Sequence, residues 1–155
     1  MARRVFFSFH YDRDISRANQ VRNSNVAAGA DTAGFFDRSE YEEAKKTGRA
    51  GIERMIQRHL ADTSVTIVLI GAETADRPWV KYEIAESVAR KNALLGIFIH
   101  HLKNERGESD FWPWHMPAIP EGIEFPTYYW DFDLDKFRGE IEAAGKRADL
   151  LRRGG

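Results

Sequence analysis

The chain contains no cysteine, which excludes a disulfide scaffold, a thiol nucleophile and a cysteine metal site. It has no dominant charge either. With 23 Lys and Arg against 24 Asp and Glu, nothing in the charge balance points to a nucleic-acid partner or an anionic membrane surface. No run approaches the roughly eighteen consecutive apolar residues of a membrane span. Met1-Ala2-Arg3-Arg4 leads straight into a strand-like segment and leaves no room for a signal peptide, so the expected location is cytoplasmic. Repeats and domain linkers are also absent, and the length suits a single domain over 1–155 with a substantial core. Proline is scarce and concentrated, four of the five lying between Asn104 and Pro126 beside Phe111-Trp112-Pro113-Trp114. That density breaks helix and sheet, so 104–126 reads as an irregular insertion packed by its own aromatics. A loop glued to the surface by tryptophans is favoured over a lid.

What is present alternates between strand and helix. Val5 to Phe9 is nearly all apolar, as expected of a strand covered on both faces. A polar and aromatic turn, His10 to Asp14, precedes a helix from Ile15 to Asn23, with Asp12 or Asp14 as candidate cap. Asn25 to Thr32 reads as a connection, Ala33-Gly34-Phe35-Phe36 as a short strand ending at Asp37, and Arg38 to Gly48 as a charged segment. Gly51 to Leu60 carries an amphipathic stripe that includes His59, which reads as a histidine at the core edge because nothing near it has metal-ligand spacing. Val65 to Ile70 is the clearest strand. Leu94 to Ile99 forms another, with His100 and His101 at its end, and Thr127 to Trp130 a last one. A closing helix spans Leu134 to Arg152, turning Leu134, Phe137, Ile141 and Ala144 inward, with Gly145 as a candidate interruption and a frayed end from Arg152. This alternation implies an α/β fold with a five-stranded parallel sheet in the flavodoxin-like order 2-1-3-4-5 and helices on both faces.

The chemistry concentrates around Arg77-Pro78-Trp79-Val80-Lys81-Tyr82-Glu83. Proline suits a first helical position, so a helix opens at Pro78 and runs to about Lys91. Trp79 and Glu83, four residues apart, share one face of it. Val80, Ile84 and Val88 form its apolar line, and at about 100° per residue Glu83 falls roughly 60° from Val80, at the margin of the buried face. Its helical neighbours Trp79, Val80, Glu86 and Ser87 include no cation. Such a carboxylate either has a raised pKa at a functional site or pairs with a lysine or arginine from another element. In the expected topology the first and third strands lie side by side, so the Phe9-His10-Tyr11 loop meets Trp79 and Glu83 at one crevice. Without that placement, His10 and Tyr11 read as ordinary loop residues.

Val5-Phe6-Phe7-Ser8-Phe9, Phe35-Phe36-Asp37, the Ser64 to Ile70 strand and Trp79-Val80-Lys81-Tyr82-Glu83 resemble successive signatures of the TIR domain. Arg4 to Tyr11, Glu43-Ala44-Lys45-Lys46-Thr47 and Trp79 to Ile84 are similar to the TIR-like proteins of the bacterial Thoeris antiphage system. The resemblance covers Arg3 to Ile99 and does not extend to the aromatic insertion. It implies cleavage of NAD at the nicotinamide–ribose bond, NAD being a substrate with no separate cofactor or metal. It further implies release of a cyclic ADP-ribose isomer, sensed by a separate effector protein, and self-association. It makes Glu83 the catalytic residue, with Ser8, Phe9, His10, Tyr11, Asp37, Tyr41 and Trp79 around the substrate. Some TIR enzymes carry arginines where His10 and Tyr11 stand, so the resemblance leaves the phosphate contacts unassigned here. Two other readings stand beside this one: a non-catalytic TIR interaction module, and a nucleoside deoxyribosyltransferase-like enzyme with an active-site glutamate.

Overall fold

The computed structural model describes residues 3–27, 31–34 and 38–154, of which 25–27, 31–34 and 38 are described by backbone alone. Strand β1 (Arg4–Ser8) leads into helix α1 (Tyr11–Ala27) and strand β2 (Asp31–Gly34). Helices α2 (Arg38–Lys45) and α3 (Gly48–Leu60) follow, then β3 (Val65–Ile70), α4 (Pro78–Ala89), β4 (Ala93–Phe98), β5 (Thr127–Tyr129) and α5 (Leu134–Arg153). The strands form a parallel sheet in the order β2-β1-β3-β4-β5, and β5 adds only three residues at the edge. Val5 to Ser8 of β1 pair in register with Val65 to Val68 of β3.

The apolar runs are buried because both faces of the sheet are covered. All six residues of β3 are inaccessible, as expected of a central parallel strand. Val80 and Ile84 of α4 pack on Val68, Ile70 and Leu94, with Ile119, Ile123 and Phe125 of the insertion beside them. Phe137, Ile141, Ala144 and Ala148 of α5 join a second cluster with Phe6, Ile67 and Leu95. Position 96 within the continuous strand β4 is glycine because a Cβ there would lie 2.7 Å from the Phe125 ring and 2.8 Å from Thr127 Cγ2. Among the described residues no helix is long and apolar enough to cross a membrane.

Several local expectations are corrected. Helix α1 begins at Tyr11, four residues before Ile15. Its cap is neither Asp12 nor Asp14 but His10, whose Nδ1 accepts the Arg13 N–H at 3.3 Å. The helix also runs on to Ala27, and β2 starts at Asp31. Phe35, Phe36 and Asp37 lie outside the described residues. The charged segment after Arg38 is helical, as α2, and Gly48 rather than Gly51 opens α3. Gly145 does not interrupt α5. It is glycine because Arg3 lies across it, where a Cβ would come within 2.4 Å of the guanidinium. Arg152 is not frayed; its guanidinium donates to the Thr63 carbonyl at 3.1 Å and to Asn92 Oδ1 at 2.8 Å.

The insertion differs most from expectation. Its tryptophans do little to hold it down: Trp112, which touches His100 and Tyr129, is still 70% exposed, and Trp114 is 83% exposed. Asp110 does, accepting from Arg13 Nε at 2.6 Å and Nη2 at 2.9 Å. The buried Arg17 adds donations to the carbonyls of Leu102 at 2.8 Å and Glu108 at 2.9 Å. An ionic anchor wins over an aromatic one here because a planar guanidinium satisfies several fixed acceptors at once.

Candidate active site

Glu83 lies in the second turn of α4, and Ser8 is the last residue of β1. The register of β1 against β3, and of α4 upon both, brings them together across seventy-five positions of sequence. The Ser8 hydroxyl donates to Glu83 Oε1 at 2.6 Å. Glu83 is 3% exposed, well inside the margin assigned to it. Among the described residues the alternative partner, a lysine or arginine from another element, does not pair with it. Burial pushes the Glu83 pKa from 4.5 up to about 8, and the bond from Ser8 only partly opposes that rise. The turn of helix carrying Glu83 is also fixed from behind. Ser87 Oγ donates to the Glu83 carbonyl at 2.7 Å and accepts from Thr66 Oγ1 of β3 at 2.7 Å.

Around this carboxylate lies a crevice lined by Phe9, His10, Tyr11, Asp12, Tyr41, Ile52, Ile56, Arg77, Trp79, Val80 and Glu83. Phe9 and Tyr11 stack at 5.8 Å between ring centroids, and Tyr11 and Tyr41 at 4.3 Å. Trp79 forms the facing wall, edge-on to Tyr82 at 5.6 Å. Arg49 lies over the Trp79 ring, and Lys45 over that of Tyr41. His10 is buried with its Nδ1 committed to the helix cap. Desolvation first and the charge of Arg77 second lower its pKa, so it is neutral. Burial raises the Tyr41 pKa, keeping the phenol protonated. The crevice is narrow, with about 20 Å³ of water-accessible space.

Of the residues expected at the site, Phe9, His10, Tyr11, Tyr41, Trp79 and Glu83 come together. Ser8 lies behind Glu83 and not on the crevice wall, and Asp37 is outside the described residues. Asp12, Ile52, Ile56, Arg77 and Val80 also line the crevice and are not among the residues expected there. Ile52 and Ile56 read as core residues because they belong to the α3 stripe, and only tertiary packing turns that stripe toward the crevice. Arg77 had a signal, being the residue immediately before the proline that opens α4. His59 bonds Glu40 at 2.6 Å, away from the crevice lining. His100 is caged by Phe98, Trp112 and Tyr129, and His101 bonds the Trp130 carbonyl. A roomier cavity of about 420 Å³, between Asn92 to Leu94, Gly122 to Glu124 and the end of α5, is lined by none of the expected residues.

The family model described as Thoeris protein ThsB, TIR-like domain, matches residues 6–104. A Bacillus cereus (strain MSX-D12) protein named "Putative cyclic ADP-D-ribose synthase ThsB1" is 48% identical over 109 residues. The aligned stretch covers 69% of this chain and 57% of that relative, so the chain spans little more than half of its length. The match runs from within β1 through β4, including Ser8, Trp79 and Glu83, and stops where the insertion begins. The chain belongs to the TIR-like family of Thoeris ThsB proteins.

Proposed function

We propose that this chain cleaves the nicotinamide–ribose bond of NAD, with Glu83 as the catalytic carboxylate, and closes the ADP-ribosyl group on itself to a cyclic ADP-ribose isomer. One observation carries the reading. A buried glutamate with no cationic partner among the described residues faces an aromatic crevice at the carboxyl ends of the two central strands. The family match and the name of the Bacillus relative support it.

The chemistry needs only one carboxyl group. Ordinary glycosidases use two, since an alkoxide leaving group must be protonated. Nicotinamide departs from a cationic ring as a neutral molecule, taking the electron pair of the breaking C–N bond. What must be stabilised is the oxocarbenium-like carbon left behind, and a carboxylate beside the ribose does this electrostatically. Before substrate binds, Glu83 holds a proton at neutral pH, its pKa lying near 8. The positively charged pyridinium ring favours the ionised form, so binding itself prepares the carboxylate. Trp79 and the Phe9–Tyr11–Tyr41 stack would flank the ring and exclude water. Water must be excluded for a nucleophile within the same ADP-ribosyl group to capture the cation first; if water arrives, linear ADP-ribose results. The narrow crevice admits NAD only after the Tyr11–Tyr41 pair or Trp79 moves.

In this reading the product is a signal for a separate effector in antiphage defence, and copies of the chain self-associate. Glu83→Gln tests it. The amide conserves shape and hydrogen bonding but not charge, so nicotinamide release should fall at least about a thousandfold while the fold is retained. Undiminished release from that variant would remove Glu83 from the chemistry. Absence of NAD turnover by the wild type in every assembly state would favour a scaffolding role.

A further inference from the structure

Most arginines near the crevice and the sheet ends are engaged. Arg13 and Arg17 bind Asp110 and Asp14, Arg49 pairs with Glu53, and Arg152 bonds Asn92. Arg77 is different. It lines the crevice half-buried, yet among the described residues its guanidinium makes no hydrogen bond or ion pair. None of its nitrogens is sealed from solvent, so its five donors remain available to an anionic ligand at the crevice. Arg77 is held by its neighbour: the residue before a proline is confined to extended backbone, and Arg77 has φ −74° and ψ 125°. Its side chain therefore leaves the chain at a fixed point, two residues before Trp79.

The charges are also ordered. Glu83 is deep and Arg77 is nearer the mouth. The loop after β1 brings no cation to the lining, since His10 is neutral and buried and Tyr11 is uncharged. Asp12, the other carboxylate on the lining, is exposed and therefore screened by solvent. Lys45 and Arg49 near the rim are committed to Glu42 and Glu53. A molecule whose cationic end goes inward and whose anionic middle remains at the mouth matches this arrangement. NAD has that order, with the pyridinium on one ribose and the pyrophosphate on its 5′ side.

We infer that Arg77 is the anion-binding residue of the crevice. It grips the pyrophosphate and so selects the dinucleotide over phosphate-free nicotinamide ribosides. The inference rests on the NAD-cleaving reading and adds a positioning residue to it. A charge-assisted bidentate contact of this kind has a large effect on affinity, roughly ten- to hundredfold when removed. Arg77→Gln should therefore raise the KM for NAD by that factor with little change in kcat. Cleavage of nicotinamide riboside should stay within about twofold of wild type, and Arg77→Lys should recover part of the loss for NAD. Calorimetric titration with ADP-ribose should weaken by a factor similar to the KM change. An unchanged KM for NAD in Arg77→Gln, or an equal loss on the riboside, overturns the assignment. If the wild type cleaves neither substrate, the catalytic reading of Glu83 fails, and the ADP-ribose titration then decides Arg77 alone. Equal affinity in wild type and Arg77→Gln, or no binding to either, overturns it.

Discussion

Glu83 illustrates how one side chain can be expensive for folding and useful for chemistry. Its carboxyl is buried against Ser8, and burial lifts its pKa from 4.5 to about 8. The folded chain therefore keeps this proton at pH values where the unfolded chain has released it. Stability falls with rising pH between those two values and gains no slope from this group below 4.5 or above 8. Replacing Glu83 by glutamine removes that slope. Denaturant unfolding of Glu83→Gln against wild type should show the variant gaining by a few kcal/mol as the pH rises from about 5 to about 8. A stability difference that stays constant with pH would mean that the carboxyl is not desolvated as described. Sequence could supply only half of this picture. The helical neighbours of Glu83 excluded a local counter-ion, but whether a distant cation or a hydroxyl met the carboxyl depended on which strand end lay opposite.

At the scale of elements, the hydrophobic pattern made β1, β3, α4 and β4 legible, since two-sided burial selects continuous apolar runs. It failed where polar contacts decide. Helix α1 was read from Ile15, Ala18 and Val21, but its buried face also contains Asp14 and Arg17, paired at 2.9 Å. A charged pair that cancels internally is invisible to a hydrophobic count. Helix α2 escapes a hydrophobic count because its charged sequence lacks an apolar stripe; Tyr41 seats it on Tyr11, and Glu40 ties it to Arg58 and His59 of α3. Gly96 belongs to the same class, a glycine that a strand tolerates because Phe125 and Thr127 fill the place of its side chain. Gly96→Val should push β5 and Phe125 away and cost about 1–3 kcal/mol, measured as a lowered midpoint in urea. An unchanged midpoint would mean that the edge strand shifts without penalty.

For the whole molecule, the insertion after β4 links parts that sequence leaves separate. Asp110 is nearly buried against Arg13 and close to Arg17, while Asp14 and Arg17 lie on the same helix that begins beside the crevice. Removing Asp110 takes both hydrogen-bond acceptors from Arg13 Nε and Nη2, leaving it the ion pair with Glu73, and removes the second carboxylate near Arg17. Asp110→Ala is expected to cost roughly 2–4 kcal/mol and to make 104–126 the first site of limited proteolysis. Retention of the wild-type cleavage pattern would show that the insertion is held by Ile119, Ile123 and Phe125 instead. The sequence by itself determined the alternation of strand and helix, the adjacency of β1 and β3, and the placing of Trp79 and Glu83 on one helical face, because each follows from local periodicity and the geometry of parallel crossovers. Tertiary structure alone decided that Ser8 reaches Glu83, that Arg77 stands unengaged at the crevice mouth and that Asp110 rather than the tryptophans secures the insertion. These depend on the distance between residues far apart in the chain, and hydrogen-bond reach is too short for any pattern along one strand to reveal.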